Sequence, residues 1–278
     1  MSHPPLQGRR SSLAVVGFCL VLVIATGCGS PTWSGNTAVQ PTSLRTSTST
    51  STSTSTSSTV PVLLYNGTGT SSTDVAAVES VLSTLNLSYA TANTSQIESM
   101  SESKLASYKL LIVPGGNSIK IGNGLTKDAT TKIHDAVVND GLHYLGICAG
   151  AFFGGYSIYN GLNLTNGVWF NFYADEFKGI HIEAVPVTFP NNTTMDIYWQ
   201  DGPQLSGWGE IISKYPDGTP AMAEGKSGNG WVILSGVHPE APASWRTGLK
   251  FRTPLTTDLT YAGKLVTAAM NGTTLPHY

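Results

Sequence analysis

Short runs of consecutive apolar residues alternate with amphipathic stretches through the first part of the chain's folded body. Val60-Pro61-Val62-Leu63-Leu64-Tyr65 is the kind of run that a sheet buries on both faces, and it predicts a first strand. Asp74 to Leu85 carries Val75, Val78, Val81, Leu82 and Leu85 at helical spacing. Leu87 to Ala92 and Tyr108 to Val113 predict further strands, and Lys127 to Asn139 predicts a helix closed by Gly141. The apolar lead-in His143-Tyr144-Leu145 then runs through Cys148 into a small, aromatic helix. Alternating strands and helices with apolar strands predict an α/β fold: a flavodoxin-like three-layer sandwich with a mainly parallel sheet.

After about Asn160 strands dominate. Gly179 to Phe189, Thr194 to Gln200, Gly209 to Ser213, Thr219 to Ala223 and Gly230 to Leu234 are separated by turn residues such as Pro216-Asp217-Gly218. They predict an antiparallel β insertion in the C-terminal half that returns its last strand to the sheet. A helix over roughly Leu255 to Met270 closes the pattern. The body so outlined is one domain over 60–278, long enough for a sizeable core.

The N-terminal pattern is different. Arg9-Arg10 precede an apolar run from Leu13 to Ala25, which ends in Ile24-Ala25-Thr26-Gly27-Cys28. Basic, apolar and small-residue regions in that order predict a signal peptide over 1–27. The run is short for a membrane span. The residues before Cys28 resemble a bacterial lipobox, which implies cleavage after Gly27 and lipid on Cys28. Residues 28–59 have no apolar periodicity, and Thr46 to Thr59 alternates serine and threonine, so they predict a flexible spacer. The expectation is an exported bacterial envelope protein, lipid-anchored to a membrane. A formal net charge of -2 with no basic block excludes a nucleic-acid partner; no protein partner is indicated.

Three cysteines are present. Cys19 falls in the discarded run and Cys28 would be acylated, leaving Cys148 as the free thiol of the mature chain. It sits at a strand-to-helix turn with Gly146 and Gly150 two residues away on each side, the pattern of a nucleophile elbow. A helix N-terminus also favours thiolate. A small buried core cysteine is the alternative. The strand Trp231-Val232-Ile233-Leu234 ends in Ser235-Gly236-Val237-His238-Pro239-Glu240. In extended backbone His238 and Glu240 face the same way, so the carboxylate can orient the imidazole that deprotonates a thiol. A solvated surface turn is the alternative there. His181-Ile182-Glu183 has the same spacing but lies within an apolar strand pattern and reads as structural. No Cys-x-x-Cys pair or His/Cys cluster points to zinc, and no cofactor or metal is expected.

Gly146-Ile147-Cys148-Ala149-Gly150 with His238-Pro239-Glu240 resembles the class I glutamine amidotransferases, in which a Cys-His-Glu triad hydrolyses an amide through a thioester. Those stretches, extended through Phe153 and back to Leu234, and Tyr198-Trp199-Gln200-Asp201-Gly202-Pro203, resemble the amidotransferase-like domain at the N-terminus of biotin–protein ligases. The resemblance implies Cys148, His238 and Glu240 as catalytic residues. It also implies that Gly115 and Gly116 of Pro114-Gly115-Gly116, with Ala149, bind an oxyanion. Glutaminases carry glutamine four residues after the cysteine, where this chain has Phe152. Phe152 and Trp199 are the expected contacts of a small substrate, from an aromatic group that also suits packing. The function expected is a cysteine-dependent amide hydrolase or acyl transferase, with a catalytically inactive binding or scaffold module as the alternative.

Overall fold

The computed structural model describes residues 60–278; the signal peptide over 1–27, Cys28 and the 28–59 spacer lie outside the described residues. In chain order the elements are β1 (Val62–Tyr65), α1 (Ser72–Thr84), β2 (Tyr89–Ala92), α2 (Thr94–Ser99), α3 (Glu102–Ala106), β3 (Leu110–Val113), α4 (Ser118–Gly124), α5 (Lys127–Val138), β4 (His143–Ile147) and α6 (Ala149–Gly154). There follow β5 (Asn171–Phe172), a 3-10 turn (Ala174–Lys178), β6 (Ile182–Thr188), β7 (Thr194–Gln200), β8 (Pro203–Gln204), β9 (Glu210–Lys214), β10 (Pro220–Ser227), β11 (Gly230–Ser235) and α7 (Leu255–Asn271).

One nine-stranded sheet runs in the order β2-β1-β3-β4-β11-β10-β9-β6-β7. From β2 to β11 all pairings are parallel, and from β11 to β7 all are antiparallel. The fold is α/β with a parallel core, and the antiparallel strands of the C-terminal half extend that same sheet. The last of them in sequence, β11, returns beside β4, with Val232 opposite Tyr144 and Ser235 opposite Ile147.

Strand alternation feeds two cores, one per face. Val62, Leu64, Leu110, Ile112 and Leu145 pack with α1 and α7, whereas Leu63, Tyr65, Leu111, Val113 and Tyr144 pack with α5 and α6. Period-two side chains covered by helices on both faces make the three layers. Ser71 and Thr126 start α1 and α5 by accepting from the N–H groups of Asp74 and Ala129. Among the described residues no helix is long and apolar enough to cross a membrane.

The chemistry collects at one edge. β1, β3, β4 and β11 are parallel, so the loops after Tyr65, Val113, Ile147 and Ser235 leave from the same side of the sheet. The antiparallel extension comes back to this edge: the His238 N–H donates to the Tyr198 carbonyl at 2.8 Å, bridging the end of β7 to the loop after β11.

Candidate active site

Cys148 stands between β4 and α6 at φ 52° and ψ -106°. A non-glycine residue there costs of order 1–3 kcal/mol and persists only where its surroundings fix it. Here they do. The Cys148 N–H donates to the Ser235 carbonyl of β11 at 2.7 Å, and the Cys148 carbonyl accepts from Ala151 and Phe152. The flanking glycines let the chain fold back this tightly. A Cβ on Gly150 would lie 1.9 Å from the Val113 carbonyl oxygen, and one on Gly146 would lie 2.5 Å from that of Gly150.

His238 and Glu240 meet as a buried pair, with Nδ1 2.9 Å from Oε1. Burial, the largest influence on the ring, pushes its pKa down. The Glu240 carboxylate and the adjacent Cys148 outweigh it and hold the imidazole well above its ordinary value. The ring is wedged by Tyr198 and Trp245, whose centroids lie 5.7 and 5.6 Å away.

Cys148 and His238 line one cleft of about 360 Å³. Its other walls are Ser71, Thr73, Asp74, Gly116, Tyr198, Gln200, Asp201 and Trp245. The thiol donates to the Gln200 carbonyl at 3.4 Å. Gly116 is on the wall of the cleft and Ala149 opens α6, whose first N–H groups have no intrahelical acceptor. Gly115 lies behind, against Asp74 and His238.

The two expected substrate contacts fall elsewhere. Trp199 is fully buried; it packs edge-to-face on Tyr173 and its Nε1–H donates to the Gly202 carbonyl. Alternation along β7 turns Trp199 into the core, so that Tyr198 and Gln200 face the cleft instead. Phe152 lines a neighbouring apolar cavity of about 460 Å³ together with Ile119, Phe153, Trp169 and Phe172. A larger apolar hollow of about 730 Å³ lies between α1 and α7, far from this chemistry, with Lys264 as its one ionisable side chain.

Asp74 is the residue that the sequence pattern did not single out. It is buried in the first turn of α1, with Oδ1 3.5 Å from His238 Nδ1, so the imidazole has carboxylates from two elements beside it. Its signal in sequence was only an acidic residue three positions after a capping serine. His181 pairs with Glu176 at 3.1 Å and Asp201 at 2.9 Å, outside the strand in which it was expected. Asp74, His238 and Glu240 bring ligand-type atoms within 4.8 Å of one another, and so do Glu176, His181 and Asp201. In each, the imidazole already bonds a carboxylate of its own group.

The parallel α/β sheet thus brings a cysteine at a strand-to-helix turn and a buried His-Glu pair to its carboxyl edge. Residues 60–166 match the family described as "Biotin-protein ligase, N terminal". Over that segment the chain is similar to this family. The matched segment includes Cys148 and ends before His238. No curated protein matches the chain. Among solved structures, the chain is similar to a glutamine amidotransferase from Methylobacillus flagellatus, at 10% identity and TM-score 0.49 over 80% of this chain and 98% of that one. It is also similar to a ThuA-like protein from Bacteroides uniformis, at 13% identity and TM-score 0.46 over 75% and 88%. A third likeness is to the exo-β-1,4-mannosidase Op5Man5 from Opitutaceae bacterium strain TAV5, at 13% identity and TM-score 0.43 over 74% and 35%. The chain spans about a third of that mannosidase's length.

Proposed function

We propose that the protein is an exported, lipid-anchored cysteine hydrolase or acyl transferase acting on a small amide, with Cys148, His238 and Glu240 as its triad. The observation that carries this reading is that His238, paired with the buried Glu240 behind it, lines the same small cleft as a strained cysteine. The Cys148 sulfur attacks the carbonyl carbon, forming the S–C bond. The N–H groups of Ala149 and Gly116 receive the negative charge that develops on oxygen. Imidazolium His238 gives its proton to the leaving nitrogen as the C–N bond breaks, leaving a thioester. Neutral His238 then takes a proton from water, whose oxygen attacks the thioester and releases the acid and the thiol. Glu240 holds Nδ1 and so directs Nε2 at the reacting groups.

Reactivity of the thiol toward iodoacetamide tests the triad. Cys148 should alkylate fast in the intact chain and at least about tenfold more slowly in His238→Gln, since removing a catalytic base typically costs 10²–10⁴ in rate. Equal rates in both chains refute the triad, and a screen of small amides with Cys148→Ala as control then identifies no turnover. Export and anchoring are supported by the order of basic, apolar and small residues before Cys28. Cys28→Ala should move the protein from the membrane fraction to the soluble one; unchanged fractionation refutes the anchor.

A further inference from the structure

We propose that the Cys148 cleft selects substrates carrying a positive charge, an ammonium or guanidinium group next to the amide, and disfavours those carrying a carboxylate there. This inference rests on the reading of Cys148 as nucleophile and names the substrate class of the same site.

Asp74 from α1 and Asp201 from the turn after β7 both line the cleft, while no lysine or arginine does. With the groups in contact behind the wall included, four carboxylates (Asp74, Asp201, Glu240 and Glu176) stand against two imidazoles, His238 and His181. The field in a narrow opening of one sign attracts ions of the other. Asp74 is almost wholly buried, so its charge acts with little screening by solvent.

Tyr198 and Trp245 present their rings to the same cleft, 5.2 Å apart and tilted by 49°. Aromatic faces attract ammonium and guanidinium groups, more strongly when water is excluded. Two rings and two carboxylates around about 360 Å³ make a recognition surface for a small organic cation. A free amino acid such as glutamine would bring its own carboxylate into this field. A positively charged amide with no free carboxylate is attracted by Asp74, Asp201 and both rings, against His238 as the one cationic wall group.

Thiol reagents of matched size read the selection without turnover. The full chain is treated with the 2-aminoethyl, methyl and 2-sulfonatoethyl methanethiosulfonates, and the peptide containing Cys148 is followed by mass spectrometry. In each case the thiolate forms a new S–S bond and a sulfinate leaves. The cationic reagent should outpace the anionic one by at least about tenfold more in the folded chain than in the chain unfolded in urea. Asp201→Asn should cut that excess severalfold; asparagine tolerates the positive φ of 45° at this position, so the turn is kept. A folded-chain ratio equal to the unfolded one overturns the selection while leaving the nucleophile standing. Should Cys148 resist even the neutral reagent, the enzymatic reading falls. The selection is then read from amide chemical shifts of Gly116 and Asp201. Shifts on adding glycinamide but not succinamate uphold it, and any other outcome overturns it.

Discussion

Gly115 owes its identity to two side chains that arrive from distant parts of the chain. A Cβ there would lie 1.9 Å from Asp74 Oδ1 and 2.8 Å from His238 Cε1, and both groups are buried. Neither can swing into solvent without breaking the pair of carboxylates around the imidazole. Overpacking of this kind costs about 1–3 kcal/mol. Gly115→Ala should therefore lower the unfolding free energy by that amount, measured by denaturant titration. In an Asp74→Ala background the same substitution should cost less, because the nearest obstacle is gone. An equal cost in both backgrounds would show that Asp74 is not what excludes the side chain. The glycine was legible as part of a Pro-Gly-Gly loop at a strand end. Its structural partner was not, because Asp74 reads in sequence as an ordinary acidic residue near a helix start and meets His238 only through the sheet.

At the level of elements, long apolar runs and strong caps were the readable part. Thr194–Gln200 has the bounds expected and the strand from Gly230 ends one residue later than expected, whereas the strand expected from Gly179 starts at Ile182 and the one expected to end at Ala223 runs on to Ser227. The short helices α2, α3 and α4 were missed, since five to seven residues give too little periodicity, and α4 contains two glycines. β7 shows why the site was read less well than the fold. The aromatic pair Tyr198-Trp199 marked the right place, but which of the two faces the cleft is fixed by register. β7 pairs Trp199 with Glu183 and Tyr198 with Ala184, and the core takes Trp199. His238 and Glu240 were easier, because their spacing already puts them on one side of an extended segment. The far-edge strand's return to bridge His238 has no local signal, and it brings Gln200 and Asp201 to Cys148.

For the molecule as a whole, burial sets the pH dependence of stability. Glu183 is raised to about 7, first by burial and then by the adjacent Asp175 carboxylate. Asp258, buried beside α7's start, is raised to about 7 by burial, against the pull of Arg246. In both, the folded chain holds a proton that the unfolded chain has released above pH ~4–5. Stability from these groups is full below that range and is lost as pH rises toward 7. His238 acts in the same direction at higher pH, because its raised folded pKa loses its contribution only as pH climbs past the ordinary imidazole value. Asp196, lowered by the Arg252 guanidinium that bonds both its oxygens, takes effect only in acid, where its protonation weakens the fold. The melting temperature should thus be highest near pH 5 and fall toward pH 8. Glu183→Gln keeps a group that can donate to Asp175 without needing a proton. It should recover about 1 kcal/mol at pH 8, after discounting for partial exposure, or about 2–4 °C, and nothing at pH 4.5. Scanning calorimetry across that range checks it: parallel profiles for the two chains would place the acid-stabilising proton on another group, and a lower Glu183→Gln curve at pH 8 would reverse the sign.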